Sequence, residues 1–146
     1  MAASPMKNEV QVYIKNETST EFVYRGDFYR EGKLSGEQWP VSVRPGQFID
    51  VSCCGAKEGE TYSDCSGYVS YGFGEDGKHM TIAFFNGKSE NKTNVGCEPP
   101  KEVWTEMRSF NYEPTTKRIR DGPREYTVRF QCTSGAVNKV TVTVSQ

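Results

Sequence analysis

Hydrophobic and polar residues alternate along most of this chain, and such alternation is typical of β-strands that bury one face. Val10, Val12 and Ile14 share one face of the first segment, Val10–Lys15. Further predicted strands are Phe22–Arg30, Trp39–Val43, Gln47–Cys53, Tyr68–Phe73, Met80–Phe85, Tyr126–Cys132 and Val137–Val144. The segment Val103–Phe110 fits a strand or a short helix, and its composition favours the strand.

Turn-forming residues separate these segments, as in Pro45-Gly46 and Asn86-Gly87. Sustained helical periodicity does not occur. About nine short strands at this spacing predict an all-β fold, a single-domain β-sandwich of mostly antiparallel strands. We expect one domain over residues 1–146, with residues 1–9 flexible.

The charge and hydropathy of the chain limit the kinds of partner and location that we expect for it. The 146 residues include 18 basic and 19 acidic side chains, so no net positive field would attract nucleic acid. The chain contains no apolar run long enough to span a bilayer and no hydrophobic signal segment at its start. We expect a soluble protein, cytoplasmic or secreted by a non-classical route, that acts at target membranes.

Residues for catalysis or metal binding are scarce in this chain. Its single histidine, His79, falls in a predicted turn and has no nucleophile beside it. The sequence therefore predicts no enzyme, no metal site and no cofactor. The five cysteines are an odd number, so at least one stays unpaired within the chain. The missing secretion signal favours free thiols, and one bridge from Cys65 or Cys97 stays open.

Two groups of side chains could contact a membrane. A predicted basic loop is either a solvated hairpin end or a site that attracts anionic headgroups or an acidic partner; its residues are Lys117, Arg118, Arg120 and Arg124. Aromatic residues also exceed what one small core needs, so some should form an edge that settles at a membrane interface or holds a choline group. They are Tyr24, Phe28, Tyr29, Tyr68, Tyr71, Phe73, Phe84, Phe85, Trp104, Phe110 and Tyr112.

Several local patterns together resemble the aegerolysins, small acidic β-sandwich proteins of fungi and bacteria. The opening strand ends in an asparagine, Asn16, and a V-x-P-x-x-x-x-I-x-x-x-C-C-G pattern runs from Val43 to Gly55. Gly32-Lys33-Leu34, Lys92-Thr93-Asn94 and the closing hairpin add to the resemblance. The layout is also similar to actinoporin-like cytolysins, but residues 1–9 cannot supply their N-terminal amphipathic helix.

The aegerolysin resemblance implies binding to a membrane lipid of the sphingolipid or sterol class. It also implies a perforin-like partner protein and an oligomer on the membrane, as in a two-component pore-forming cytolysin with haemolytic, insecticidal or defensive action. This chain departs from the family signature Trp-Asp-Cys-Pro-Trp, since it has Phe85-Asn86-Gly87-Lys88-Ser89 there.

The predicted lipid-binding residues lie around that departure, with two tryptophans as aromatic anchors: Phe85, Asn86, Lys88, Asn91, Lys92, Trp39 and Trp104. Two alternatives stay open. One is a soluble, lectin-like module that binds glycan or protein, and the other is an actinoporin-like cytolysin that acts alone.

Overall fold

The computed structural model describes residues 8–34, 38–54, 64–87, 90–109 and 112–146. These residues form two six-stranded sheets, which confirms the predicted β-sandwich. The first sheet has the strand order β10 (Thr115–Asp121), β11 (Arg124–Gln131), β12 (Val137–Ser145), β1 (Glu9–Glu17), β5 (Phe48–Cys54) and β3 (Lys33–Leu34). The second has the order β4 (Ser42–Val43), β2 (Phe22–Glu31), β6 (Cys65–Phe73), β7 (His79–Asn86), β8 (Asn91–Gly96) and β9 (Arg108–Ser109).

The core lies between the inner faces of the two sheets. Val10, Val12 and Ile14 of β1 are fully buried, as their alternation predicts. Across the sandwich, the rings of Phe73 and Tyr126 stack with centroids 4.2 Å apart. Strand β1 pairs with β12 in parallel and with β5 antiparallel, so the first and last described strands are neighbours. Strand β1 therefore lies inside the first sheet, between β12 and β5.

A short helix, α1 (Pro100–Thr105), covers part of the outer face of the second sheet. The strand predicted over Val103–Phe110 is therefore wrong up to Thr105. Pro100 occupies the first turn, where a proline is tolerated because its missing N–H would have no helical partner. Val103 is 1% exposed, because the helix places it against the sheet. Within the described ranges, no helix has the length and apolarity needed to cross a membrane.

Other predictions need smaller corrections. Of the strand predicted over Trp39–Val43, only Ser42–Val43 forms one. His79 does not lie in a turn, since it begins β7 and its Nε2 lies 3.0 Å from the carbonyl oxygen of Glu98. Glu9 begins β1, so the flexible segment expected over residues 1–9 does not extend to it; residues 1–7 lie outside the described ranges. The favoured prediction of free thiols is confirmed for Cys65 and Cys97.

Candidate functional site

The two tryptophans predicted as membrane anchors differ in their surroundings. Trp39 is 6% exposed, and its Nε1 donates a hydrogen bond to the Tyr29 hydroxyl at 2.6 Å. Its ring centroid lies 6.5 Å from that of Phe84 in the core. Trp104 is half-buried on α1 and keeps part of its ring at the surface. Trp39 therefore belongs to the core, and Trp104 alone of the two is placed to meet a ligand.

The amides of Asn86 and Asn91, predicted to bind lipid, are also turned inward. Asn86 Nδ2 donates to the carbonyl oxygens of Glu9 and Ala136 at 2.8 and 2.9 Å. Asn91 Nδ2 donates to those of Thr133 and Gly135 at 2.5 and 3.1 Å. Both residues are at most 2% exposed. These amides hold the β7–β8 end of the second sheet to the segment before β12, because buried donors need partners.

The remaining residues of that predicted edge lie closer to solvent. The ammonium of Lys92 lies 2.9 Å from a Glu90 carboxylate oxygen and 5.3 Å from the centroid of the Phe85 ring. Phe85 is half-buried. Lys88 lies outside the described residues. The ammonium of Lys92 therefore already has partners within the protein, the Glu90 carboxylate and the Phe85 ring.

The predicted basic loop is a β-hairpin rather than a loop. Lys117, Arg118 and Arg120 lie in β10, and Arg124 begins β11. Lys117 Nζ donates to Asn94 Oδ1 at 2.9 Å and to the Val95 carbonyl at 2.8 Å, so this cation joins the two sheets.

Two of the three arginines of the hairpin also have protein partners. Arg124 donates to the Thr20 hydroxyl at 2.6 Å, and Arg120 lies 3.6 Å from a Glu125 carboxylate oxygen. Arg118 is exposed. The four cations thus do not form one free basic surface.

A concave surface lined by aromatic and basic side chains lies on the outer face of the second sheet. It is lined by Phe28, Arg30, Tyr68, Lys101 and Trp104, and we call these five residues the concave site. Its volume is about 380 Å³. Of its members, Trp104 was predicted as a site residue, and Phe28 and Tyr68 were among the surplus aromatics. Arg30 and Lys101 were not singled out.

Strand β2 supplies Phe28 and Arg30, and Arg30 lies where the pairing with β6 shifts register between Tyr29 and Glu31. Tyr29, between them, points inward and lies with its ring centroid 6.3 Å from that of Phe84. Phe28 and Arg30 therefore point away from the core. Phe28 is 48% exposed, unusually open for a phenylalanine in the middle of a strand.

Strand β6 places Tyr68 directly opposite Phe28. The two residues are Cα partners in the antiparallel pairing, and their ring centroids are 5.4 Å apart with the planes tilted by 31°. The preceding residue in the chain, Gly67, allows this close approach. A Cβ on Gly67 would lie 2.1 Å from the Phe28 carbonyl oxygen. The aromatic pair thus depends on a glycine beside it.

Helix α1 forms the opposite wall of the site. Trp104 Nε1 donates to the Ser66 hydroxyl on β6 at 3.0 Å, which fixes the indole against the sheet. The guanidinium carbon of Arg30 lies 5.6 Å from the centroid of the Trp104 ring, within cation–π distance. Lys101, three residues earlier on the helix, is exposed at the rim.

The charge of the site is positive. Across the described ranges, neither the Arg30 guanidinium nor the Lys101 ammonium has a carboxylate within ion-pair distance. None of the five described residues that line the site is acidic. Two cations beside an exposed aromatic pair can bind an anionic group and an apolar or quaternary-ammonium group at the same time.

Three tyrosines of β2 and β6 have raised pKa values. Burial raises the pKa of Tyr24 to about 12, and its hydrogen bond to Asp27 contributes in the same direction. Burial also raises the pKa values of Tyr29 and Tyr71 well above their usual range. The Tyr71 hydroxyl donates to the Pro40 carbonyl at 2.8 Å. These groups stay protonated at neutral pH and support the strand that carries Phe28.

Comparison with known proteins identifies shared architecture. No protein-family model matches the chain, and no curated protein sequence matches it. A solved structure of the lipid binding protein Nakanori is similar with a TM-score of 0.73 at 12% identity, covering 94% of this chain and 71% of that one.

Two other solved structures are less similar. The Xerocomus chrysenteron lectin XCL matches with a TM-score of 0.55 at 9% identity, over 94% of this chain and 99% of the lectin. The protein IP-1A from Alcaligenes faecalis matches with a TM-score of 0.53 at 12% identity, over 99% and 93% of the two chains. At these identities the likeness shows the fold alone, and membership of the aegerolysin family stays a prediction.

Proposed function

We propose that this protein is a non-enzymatic lipid-binding protein whose concave site holds a zwitterionic headgroup that contains phosphate and a quaternary ammonium. The observation that carries the proposal is the placement of the two unpaired cations, Arg30 and Lys101, beside the exposed Phe28–Tyr68 pair. A phosphocholine group has the matching pair of charges on a short linker.

Each part of the headgroup has a partner of suitable chemistry. Phosphate oxygens would accept hydrogen bonds from the planar guanidinium of Arg30 and from the ammonium of Lys101. The quaternary ammonium would lie against the faces of Phe28 and Tyr68, where a cation–π contact contributes about 0.5–2 kcal/mol. The indole of Trp104 is amphipathic and is suited to the interface between headgroups and acyl chains.

The sandwich architecture supports the proposal without deciding it. The lipid binding protein Nakanori has a similar fold, so a sandwich of this kind is compatible with a lipid site. We further propose, from the resemblance to aegerolysins, that the lipid belongs to the sphingolipid or sterol-associated class. On that proposal the protein acts at target membranes as the binding half of a two-component cytolysin with a perforin-like partner.

Co-sedimentation of the purified chain with liposomes tests the headgroup proposal. Vesicles of sphingomyelin or phosphatidylcholine, with and without cholesterol, are compared with vesicles of phosphatidylethanolamine and phosphatidylserine. We expect binding to choline-headed vesicles, and we expect Phe28→Ser and Arg30→Gln each to weaken it about tenfold or more. Arg118→Gln is the matched control, because Arg118 is an exposed arginine on the other sheet.

Two results would contradict the proposal. One is an equal distribution of protein over all vesicle types, and the other is choline-selective binding that Phe28→Ser and Arg30→Gln leave unchanged. Leakage of dye from the same vesicles distinguishes a protein that forms pores alone from one that only binds the membrane. Release by the purified chain would favour an actinoporin-like cytolysin that acts alone, whereas binding without release fits the two-component proposal.

A glycan-binding role is the second candidate function of the concave site. The exposed rings of Phe28 and Tyr68 could pack against the apolar face of a sugar, and the Xerocomus chrysenteron lectin has a similar fold. The lining lacks the carboxylate and amide groups that would satisfy sugar hydroxyls, which favours the lipid headgroup. Binding on a glycan array that depends on Phe28, without liposome binding, would reverse this order.

A further inference from the structure

A second group of ligand-like side chains lies on the outer face of the first sheet, on the opposite side of the sandwich from the concave site. Strand register brings them together around Tyr13 of the central strand β1. Asp50 on β5 and Thr141 on β12 are the two Cα partners of Tyr13, and Lys139 is the partner of Gln11. We call these residues the outer-face cluster: Gln11, Tyr13, Phe48, Asp50, Lys139 and Thr141.

Two members of this cluster form an aromatic surface. The rings of Tyr13 and Phe48 stack diagonally across β1 and β5, with centroids 5.0 Å apart and planes 22° from parallel. Phe48 is 58% exposed, on a face whose neighbours are mostly polar. Stacking covers one face of each ring and leaves apolar surface open to solvent, which costs free energy unless something covers it.

The polar members of the cluster are unused by the protein itself. Among the residues that the structure describes, the side chains of Gln11, Asp50 and Lys139 have no hydrogen bond or ion pair. They surround a concavity of about 320 Å³ that Tyr13 and Thr141 also line. Carboxylate, amide, ammonium and hydroxyl groups therefore line one concavity beside an aromatic surface.

We propose that the outer-face cluster binds a single pyranose sugar residue. Neighbouring strands lie about 4.8 Å apart, so Asp50 and Thr141 flank Tyr13 across about 10 Å, a span that accommodates one sugar ring and its hydroxyls. The apolar face of the ring would pack on Tyr13 and Phe48. Sugar hydroxyls would donate to Asp50, accept from Lys139, and both donate to and accept from the amide of Gln11.

The chemistry of the cluster distinguishes this ligand from the headgroup assigned to the concave site. One carboxylate and one ammonium give the outer-face cluster no net charge, and Asp50 would repel a phosphate. A neutral ligand with several hydroxyls uses both donors and acceptors. The two sites face opposite directions, so the sugar proposal does not depend on the headgroup proposal.

Titration of the full chain with methyl pyranosides, followed by ¹H–¹⁵N NMR, tests the assignment. The panel contains the methyl glycosides of glucose, galactose, mannose and N-acetylglucosamine, each raised to tens of millimolar. We expect at least one sugar to shift the backbone amides of Gln11, Tyr13 and Thr141. Asp50→Ala should weaken that binding about tenfold through the loss of a charged acceptor.

Variants on exposed positions keep the test interpretable. Asp50 and Phe48 are both exposed, so Asp50→Ala and Phe48→Ser should retain the dispersed spectrum of the folded chain. Arg118→Gln, at the edge of the same sheet, should bind like the unmodified protein. The proposal is overturned if no sugar shifts these amides, if the shifts map to Phe28 and α1, or if Asp50→Ala binds normally.

Discussion

Replacing Asn91 with alanine removes two hydrogen bonds that join β8 to the segment before β12. The acceptors are the carbonyls of Thr133 and Gly135, at 2.5 and 3.1 Å from Asn91 Nδ2. A hydrogen bond contributes about 1 kcal/mol net, so the expected loss is about 2 kcal/mol of unfolding free energy. For a domain of this length that loss lowers Tm by about 4–8 °C.

Urea unfolding followed by tryptophan fluorescence measures this loss, because Trp39 lies in the core and reports on its exposure. Lys92→Ala is the matched control on the neighbouring residue, whose surface ion pair with Glu90 contributes about 1 kcal/mol or less. Liposome binding of folded Asn91→Ala should equal that of the unmodified chain. An unchanged unfolding midpoint together with lost binding would refute this account and restore Asn91 as a recognition residue.

Three further predictions follow from buried contacts. Lys117→Met should lower unfolding free energy by about 2–4 kcal/mol in urea titrations, since two charged hydrogen bonds are lost, yet leave liposome binding intact; lost binding at full stability would contradict this. Gly67→Ala should cost about 1–3 kcal/mol and also weaken lipid binding, because its Cβ would strike the Phe28 carbonyl; unchanged binding would show that the aromatic pair does not need Gly67. Unfolding free energy should fall as pH rises above about 10, because folded Tyr24, with its pKa near 12, keeps a proton that the unfolded chain releases. Tyr24→Phe should make this fall less steep, and a slope equal to that of the unmodified chain would refute the assignment.

The fold could be predicted because alternation is a local property of the sequence. Strands β1, β11 and β12 alternate almost without interruption, and their inward residues are buried as predicted. Strand β8 was missed because its sequence NKTNVG is polar; Asn94 and Thr93 are buried through hydrogen bonds rather than through apolar contact. Such burial depends on hydrogen-bond partners in neighbouring elements, Ala83 of β7 and Val103 of α1, which periodicity does not show.

The concave site could be predicted only in part. Exposed aromatics on a strand suggested a binding edge, and Phe28, Tyr68 and Trp104 were in that set. Phe28 and Tyr68 meet through the pairing of β2 with β6, but Trp104 joins them only because of helix α1, which the weak strand preference of Val103–Phe110 concealed. Arg30 and Lys101 resemble ordinary surface cations in the sequence. Only the folded chain brings them to one surface, since β2 and α1 are far apart along it.

Selective binding of choline-headed vesicles by the Phe28–Arg30 side of the sandwich is the central claim, and a paired co-sedimentation assay tests it most directly. Unmodified protein and Arg30→Gln are mixed separately with sphingomyelin–cholesterol vesicles and with phosphatidylserine vesicles. The account predicts that the unmodified protein pellets with sphingomyelin–cholesterol vesicles and not with phosphatidylserine, and that Arg30→Gln stays in the supernatant. Equal pelleting of both proteins with sphingomyelin–cholesterol vesicles, or stronger pelleting with phosphatidylserine, would contradict it.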